Sequence, residues 1–282
     1  MIISIASGKG GTGKTLLATN LAAALTESGH VVHLLDCDVE APNDHLFFKP
    51  VIESRTDVVM PVPAIDHNRC NLCNRCNEVC AYHAIGVFGK SVLVFPELCH
   101  SCGGCVVACP QAAIMETDKV TGNIETGHSS AVKLTTGFLL IGEAKAPPVI
   151  NEMKKCIDPA AITIIDAPPG ASCPVIAAIK DTDYVVLVAE ASPFGLHDLK
   201  IAVQVVKKLH IPFGVVINKA DSAYPNVLHY CITENIHVLS ELPFDLTIAK
   251  IYSGGCLLVD RLPDYKKVFI ALYNNIKELA AV

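Results

Sequence analysis

The sequence predicts an α/β fold, a doubly wound and mainly parallel sheet with a small α+β module inserted into its middle. Short apolar runs alternate with helically spaced stretches at both ends of the chain. A glycine-rich loop joins the first apolar run to the first helical stretch. Between about residues 58 and 120 the alternation stops, and cysteine, asparagine and proline become frequent. These observations give a division into residues 1–57 with 121–282 as the main domain and 58–120 as the insert.

Ile2–Ala6 reads as the first strand, Lys14–Ser28 as a helix through Leu17, Leu21, Ala24 and Leu25, and Gly29 as its stop. Val31–Leu35 is the second strand, and the pattern is lost after Ala41-Pro42-Asn43. Ile162–Ile165, Tyr184–Ala189 and Phe213–Ile217 are near-continuous apolar runs, as strands covered on both faces require. Leu196–Leu209 is helical between them. Asp264–Val282 sets Val268, Phe269, Leu272, Tyr273, Ile276 and Leu279 on one helical face, which predicts packing on the sheet and not a membrane-surface helix.

Composition narrows the function. A net charge of −6 argues against general affinity for nucleic acid or anionic lipid. No apolar run reaches bilayer length, so no integral membrane segment is expected. The opening MIISIASGKGG has no cationic start and reads as a strand entering a loop, so the expected location is cytoplasmic. Thirteen cysteines there point to metal ligation or redox chemistry and not to a disulfide framework.

Gly8-Lys9-Gly10-Gly11-Thr12-Gly13-Lys14-Thr15 fits G-x4-G-K-[ST] between a strand and a helix. Glycines there let backbone N–H groups face phosphate oxygens, and the helix N-terminus adds positive potential. Lys14 is placed to reach the outer phosphates, the Thr15 hydroxyl to bind Mg²⁺, and Leu16 to follow on the helix.

With Lys9 inside it, this loop resembles that of the deviant-Walker ATPases, the superfamily of MinD, ParA, Mrp and the nitrogenase iron protein. The resemblance implies a homodimer, or a heterodimer with a related ATPase, in which Lys9 reaches the partner's phosphates. Asp36-Cys37-Asp38-Val39-Glu40-Ala41-Pro42-Asn43 is similar to that family's first switch. By that similarity Asp38 handles the attacking water and Asp36 supports Mg²⁺. Asp166-Ala167-Pro168-Pro169-Gly170 ends an apolar strand, and D-x-P-P-G is the form of the Mrp branch. The resemblance gives Asp166 the Mg²⁺ water shell and Gly170 the γ-phosphate. Asn218, Pro243 and Asp245 fall where the family surrounds its base. Asn218-Lys219-Ala220-Asp221 also fits a guanine-reading motif, so ATP/ADP is favoured by the resemblance while the base stays open.

The insert carries Cys70-x2-Cys73-x2-Cys76-x3-Cys80 and Cys99-x2-Cys102-x2-Cys105-x3-Cys109-Pro110. This doubled run is similar to that of bacterial two-cluster ferredoxins, in which the fourth cysteine of each run serves the other cluster. The resemblance assigns Cys70, Cys73, Cys76 and Cys109 to one 4Fe–4S cluster and Cys80, Cys99, Cys102 and Cys105 to a second. Zinc is the alternative for any C-x2-C pair. Most of Cys37, Cys156, Cys173, Cys231 and Cys256 are expected as small buried residues. For Cys173 the nitrogenase iron protein offers a second role, as ligand to a cluster shared across a dimer. None of the eleven histidines is assigned a function.

The whole chain thus resembles a MinD/Mrp-type ATPase with an inserted ferredoxin-like module. Expected functions are iron–sulfur or metal-cofactor assembly and transfer, or ATP-gated electron donation to a redox partner. Spatial positioning in the manner of MinD or ParA has least support, because it gives the clusters no task.

Overall fold

The computed structural model describes residues 1–130, 132–221 and 223–280. The first strand, β1 (Ile2–Ala6), leads through the glycine loop into α1 (Lys14–Glu27), and β2 (Val32–Asp36) follows. The first helix is apolar all round, and Leu16 to Leu25 are buried without a break, so it is an interior helix. It ends where expected. Gly29 takes φ 88°, its N–H bonds to the Thr26 carbonyl and the His30 N–H to that of Leu25, which is the Schellman arrangement.

A single turn of helix, α2 (His45–Phe48), precedes a very long strand, β3 (Val51–Ile65). The cysteine-rich segment then forms α3 (Arg75–Val79), β4 (Ile85–Phe88), β5 (Ser91–Val94) and α4 (Gly104–Ala108). The chain returns along β6 (Ile114–Ser129), antiparallel to β3 over its length, and then along β7 (Val132–Leu139). From there helices and strands alternate: α5 (Pro147–Lys154), β8 (Ile162–Asp166), α6 (Cys173–Ile179), β9 (Tyr184–Glu190), α7 (Pro193–Lys208) and β10 (Phe213–Ala220). The chain closes with α8 (Asn226–Thr233), β11 (Val238–Pro243), α9 (Leu246–Ser253), α10 (Leu258–Arg261) and α11 (Asp264–Ala280).

The main sheet has nine strands in the order β11-β10-β9-β1-β8-β2-β7-β6-β3. The first seven are mutually parallel, and β6 and β3 add an antiparallel edge. Alternation along each central strand feeds two cores. Ile3, Ile5, Leu34, Val186 and Val188 face α1 and α11, while Leu35, Val185, Leu187 and Ala189 face α5 to α8. Phe269, Leu272, Tyr273 and Ile276 bury the inner face of α11 against the first core. That face is packed, as its spacing predicts; residues 281 and 282 of the stretch lie outside the described residues. Among the described residues no helix is long and apolar enough to cross a membrane.

Two expectations need correction. The helix expected from Leu196 begins three residues earlier, because Ser192 accepts the Gly195 N–H at 3.0 Å and Pro193 occupies the first helical position. The pattern said to be lost after Asn43 contains two of the longest strands in the chain. Most of β3 is exposed and carries Glu53, Arg55 and Asp57, so it lacks the apolar alternation that marks a strand.

The β3–β6 pair positions everything between them. From Val51 to Val58 it lies beside β7, whose last partner is Gly122 opposite Leu139. At Val58/Val59 the register shifts, and both strands run on past the sheet as a two-stranded ribbon to the facing pair Ile65 and Ile114.

Candidate nucleotide site and cysteine cradles

The phosphate loop sits at the C-terminal end of the parallel strands, where open α/β sheets place ligands. Gly11 and Gly13 take φ of 76° and 98°, which a side chain would strain. Gly8 serves packing: a Cβ there would lie 2.2 Å from the Asp198 carbonyl on α7. Lys14 is the first residue of α1 and is buried. The Thr15 hydroxyl donates to Asp166 Oδ2 at 2.6 Å, drawing the loop to the end of β8. Lys9 Nζ lies 3.4 Å from a Glu190 carboxylate oxygen, and Lys219 Nζ lies 3.8 Å from the other.

Asp36 and Asp166 face each other across adjacent parallel strands. Burial first, and then Asp166, push the Asp36 carboxyl up to about 8. Asp166 is raised to about 6 by burial while Lys14 pulls it down. Asp38 is half-buried and raised by burial, again opposed by Lys14. Asp36 Oδ2 accepts the backbone N–H groups of Asn43 at 2.8 Å and Asp44 at 2.9 Å, which folds the switch segment back over the strand end. Sequence reasoning missed Asp44. It is fully buried, and one of its oxygens lies within 4.8 Å of oxygens of Asp36 and Asp166. Its only signal was its place one residue past the switch-like stretch.

Gly11, Gly13 and Leu16 share an open cavity with Asn218, Pro243 and Asp245. Its floor is apolar, from Ile248 and Tyr252, as a stacked planar base requires. Asn218 is itself buried and turned inward. Its Nδ2 donates to the Thr12 carbonyl at 2.7 Å and its Oδ1 accepts the Lys219 N–H at 2.9 Å, so it ties β10 to the phosphate loop. Asp245 Oδ1 accepts the Thr247 N–H at 2.6 Å and caps α9. Asp221 lines a different cavity, with Tyr224 and Glu241.

The two cysteine runs occupy equivalent positions. Cys70–Ile85 and Cys99–Ile114 match at a constant offset, with left-handed residues at Leu72 and Ser101, Asn74 and Gly103, His83 and Ala112. Each run wraps a five-residue helix, and Cys80 and Cys109 follow those helices. Cys70, Cys73, Cys76 and Cys109 line one small cavity. Cys80, Cys99, Cys102 and Cys105 line another. The Cys80 and Cys109 sulfurs accept the N–H groups of Ala84 and Ala113, each at 3.3 Å, and Cys99 accepts that of Ser101 at 3.4 Å.

Of the other five cysteines, Cys37 and Cys231 are buried as expected. Cys156 and Cys173 are exposed and Cys256 is partly so, which corrects the expectation that most of the five are buried. Cys173 opens α6 behind Ser172 and ahead of Pro174 and is exposed. Burial holds His33 neutral, with its pKa lowered to about 3, and His100 stacks on Tyr82 at 3.7 Å.

Sheet order, glycine loop and paired strand-end carboxylates define a mainly parallel α/β protein of the P-loop NTPase class. The CbiA family, described as the CobQ/CobB/MinD/ParA nucleotide binding domain, matches residues 3–258, and the chain belongs to that family. An uncharacterised protein of Methanocaldococcus jannaschii is 30% identical over 280 residues, 99% of this chain and 97% of its own. The septum site-determining protein MinD of Pyrococcus horikoshii, solved with Mg-ADP, shares the fold at a TM-score of 0.60 and 20% identity, covering 99% of this chain and 96% of that one. An iron-sulfur cluster carrier protein of Synechocystis is 55% identical over 42 residues, 15% of this chain and 12% of that protein.

Proposed function

We propose that the chain is an ATP-hydrolysing iron–sulfur protein in which dimer closure on nucleotide is linked to two resident 4Fe–4S clusters. The observation that carries this reading is the sorting of eight thiols into two cavities, each taking three cysteines from one run and the fourth from the other. Their spacing favours clusters over zinc. Zn–S bonds of about 2.3 Å put tetrahedral thiolates about 3.8 Å apart. Among the described residues, no three cysteine sulfurs lie within 4.8 Å of one another. The amide donors to Cys80, Cys99 and Cys109 suit thiolate sulfur. Such clusters supply one-electron transfer when bound.

The chain's own residues divide the nucleotide chemistry. The loop N–H groups and Lys14 hold the phosphates, Thr15 and Asp166 hold Mg²⁺, and Asp38 positions water. Lys9 swings from Glu190 to the partner's phosphates when two copies meet. Adenine is favoured because Asp221, the residue a guanine reading needs, faces a separate cavity from the one beside the phosphate loop.

Electron supply to a redox or metal-cofactor partner is the use the geometry supports best, since both cradles are built into the fold. The short likeness to a cluster carrier and the exposed Cys173 favour a second reading, in which cargo is held between two copies. An anaerobic redox titration followed by electron paramagnetic resonance tests the link. A potential that moves by about 59 mV with a non-hydrolysable ATP analogue, a tenfold change in relative affinity, supports electron supply. Identical potentials with no nucleotide, ADP and the analogue overturn it. Iron and sulfide analysis of Cys102→Ser, which should lose one cluster, and of Lys14→Ala, which should keep both, tests the assignments separately.

A further inference from the structure

Asp44 is completely buried, and neither of its carboxylate oxygens has a hydrogen-bond partner. The turn that carries it explains its position. Asn43 and Asp44 bond through their backbone N–H groups to Asp36 Oδ2, which delivers the Asp44 side chain into the gap between Asp36 and Asp166. Asp166 contributes a second free atom: Oδ2 accepts from Thr15, while the buried Oδ1 has no partner. Among the described residues, no lysine, arginine or histidine forms an ion pair with any of the three.

Three carboxylates at this depth either stay protonated or share a compensating charge, because buried ionised groups persist only when paired or bound to metal. Their spacing suits one ion. Around Mg²⁺ with bonds of about 2.1 Å, neighbouring ligand oxygens lie about 3 Å apart and opposed ones about 4.2 Å apart. Three donor oxygens mutually within 4.8 Å can therefore share one hard cation. An all-oxygen set also selects Mg²⁺ or Mn²⁺ over the softer ions that the thiols elsewhere in the chain attract.

We propose that Asp36, Asp44 and Asp166 form a divalent-cation site that fills before nucleotide arrives, with Asp44 supplying the ligand that makes the site independent of phosphate. The cation then lies directly behind Thr15, and incoming phosphate replaces its remaining waters. Filled, the site presents positive charge for the phosphates to meet, so metal promotes nucleotide binding. This extends the nucleotide-site reading to the order of loading and requires no hydrolysis.

The test is a titration of the full, cluster-bearing protein with Mn²⁺ alone, with free ion read from its paramagnetic resonance signal while the clusters are oxidised. The wild type should bind one Mn²⁺ per chain without nucleotide, Mg²⁺ should compete, and Asp44→Asn should weaken binding about tenfold or more. Asp260→Asn, on the surface helix α10, should leave it unchanged. Mn²⁺ alone should also raise the melting temperature of the wild type, which checks the site even should Asp44→Asn fold poorly. No Mn²⁺ binding below the millimolar range, or equal affinity in a folded Asp44→Asn, overturns the proposal. A protein that loads Mn²⁺ but never binds ATP would overturn the nucleotide reading and leave this site standing.

Discussion

Lys145 Nζ donates to the backbone carbonyl of Cys99 at 2.6 Å and to that of Glu97 at 2.7 Å. Lys145 belongs to the loop between β7 and α5, and a second tie joins the same loop to the cysteine-rich segment through Lys119, which pairs with Glu143 at 2.6 Å and Glu97 at 3.4 Å. The loop follows Leu139, the last residue of β7, whose N–H donates to the Val39 carbonyl at 2.9 Å, next to Asp38. One short loop is therefore bonded at one end to the switch-like segment and at the other to a cysteine of the second cradle. This is a contiguous physical route of the kind that can carry a two-state change between sites.

Removing that ammonium should disfavour extra negative charge beside Cys99. If the two cradles hold the proposed clusters, Lys145→Gln is expected to lower the potential of one of them by on the order of 50 mV and to shrink its response to nucleotide. The other cluster should hardly move. Redox titration resolves the two, and an unchanged pair of potentials would remove Lys145 from the route.

Glu190 holds Lys9 at 3.4 Å, and Lys219 shares the same carboxylate. If Lys9 must leave this pair to reach a second copy, Glu190→Gln should lower the ATP concentration needed for dimerisation. The change should be several-fold, because a half-exposed pair contributes about 1 kcal/mol or less. Sedimentation at fixed protein and varied ATP reads it; a dimer that becomes harder to form would reverse the role given to Glu190.

Leu21 is fully buried midway along α1, the helix that begins at Lys14. Leu21→Ala should cost about 2–5 kcal/mol of unfolding free energy. Urea unfolding measures that loss, and a change under about 1 kcal/mol would contradict the packing described for this helix.

His33 gives a pH dependence. It is buried, its Nε2 lies 2.8 Å from Thr135 Oγ1, and burial lowers its pKa from 6.5 to about 3. The unfolded chain takes up a proton below about 6.5 that the folded chain refuses, so this contribution is flat above that pH and stability is lost as pH falls towards 3. By pH 5.5 the loss is about 1.4 kcal/mol. His33→Gln should flatten that part of the profile in urea unfolding between pH 7.5 and 5.5, whatever it does to stability at neutral pH.

The parts legible in the sequence are those in which local pattern and tertiary role agree. The glycine loop must be read by backbone N–H groups wherever it occurs, and the central strands are apolar because both faces are covered. Val51–Val58 hid because an exposed edge strand is free to be polar. Asp44 hid for another reason: its environment is made by backbone bonds to Asp36, eight residues earlier, and by a strand more than a hundred residues later. Asn218 shows the same limit, since a residue facing a ligand and one bracing the loop beside it look identical in sequence.

The way the β3–β6 ribbon leaves the sheet has a consequence for engineering. Ile65 and Ile114 are opposite residues of one antiparallel pair, so the chain enters and leaves the cysteine-rich segment at one point. Cutting there and joining the strands through a two-residue Asn-Gly hairpin leaves each remaining ladder bond in register. A graft of the cysteine-rich segment onto another hairpin would have to carry Pro61, Pro63 and Glu116 of the ribbon, which line the second cradle, and would lose the Lys145 bonds to Glu97 and Cys99.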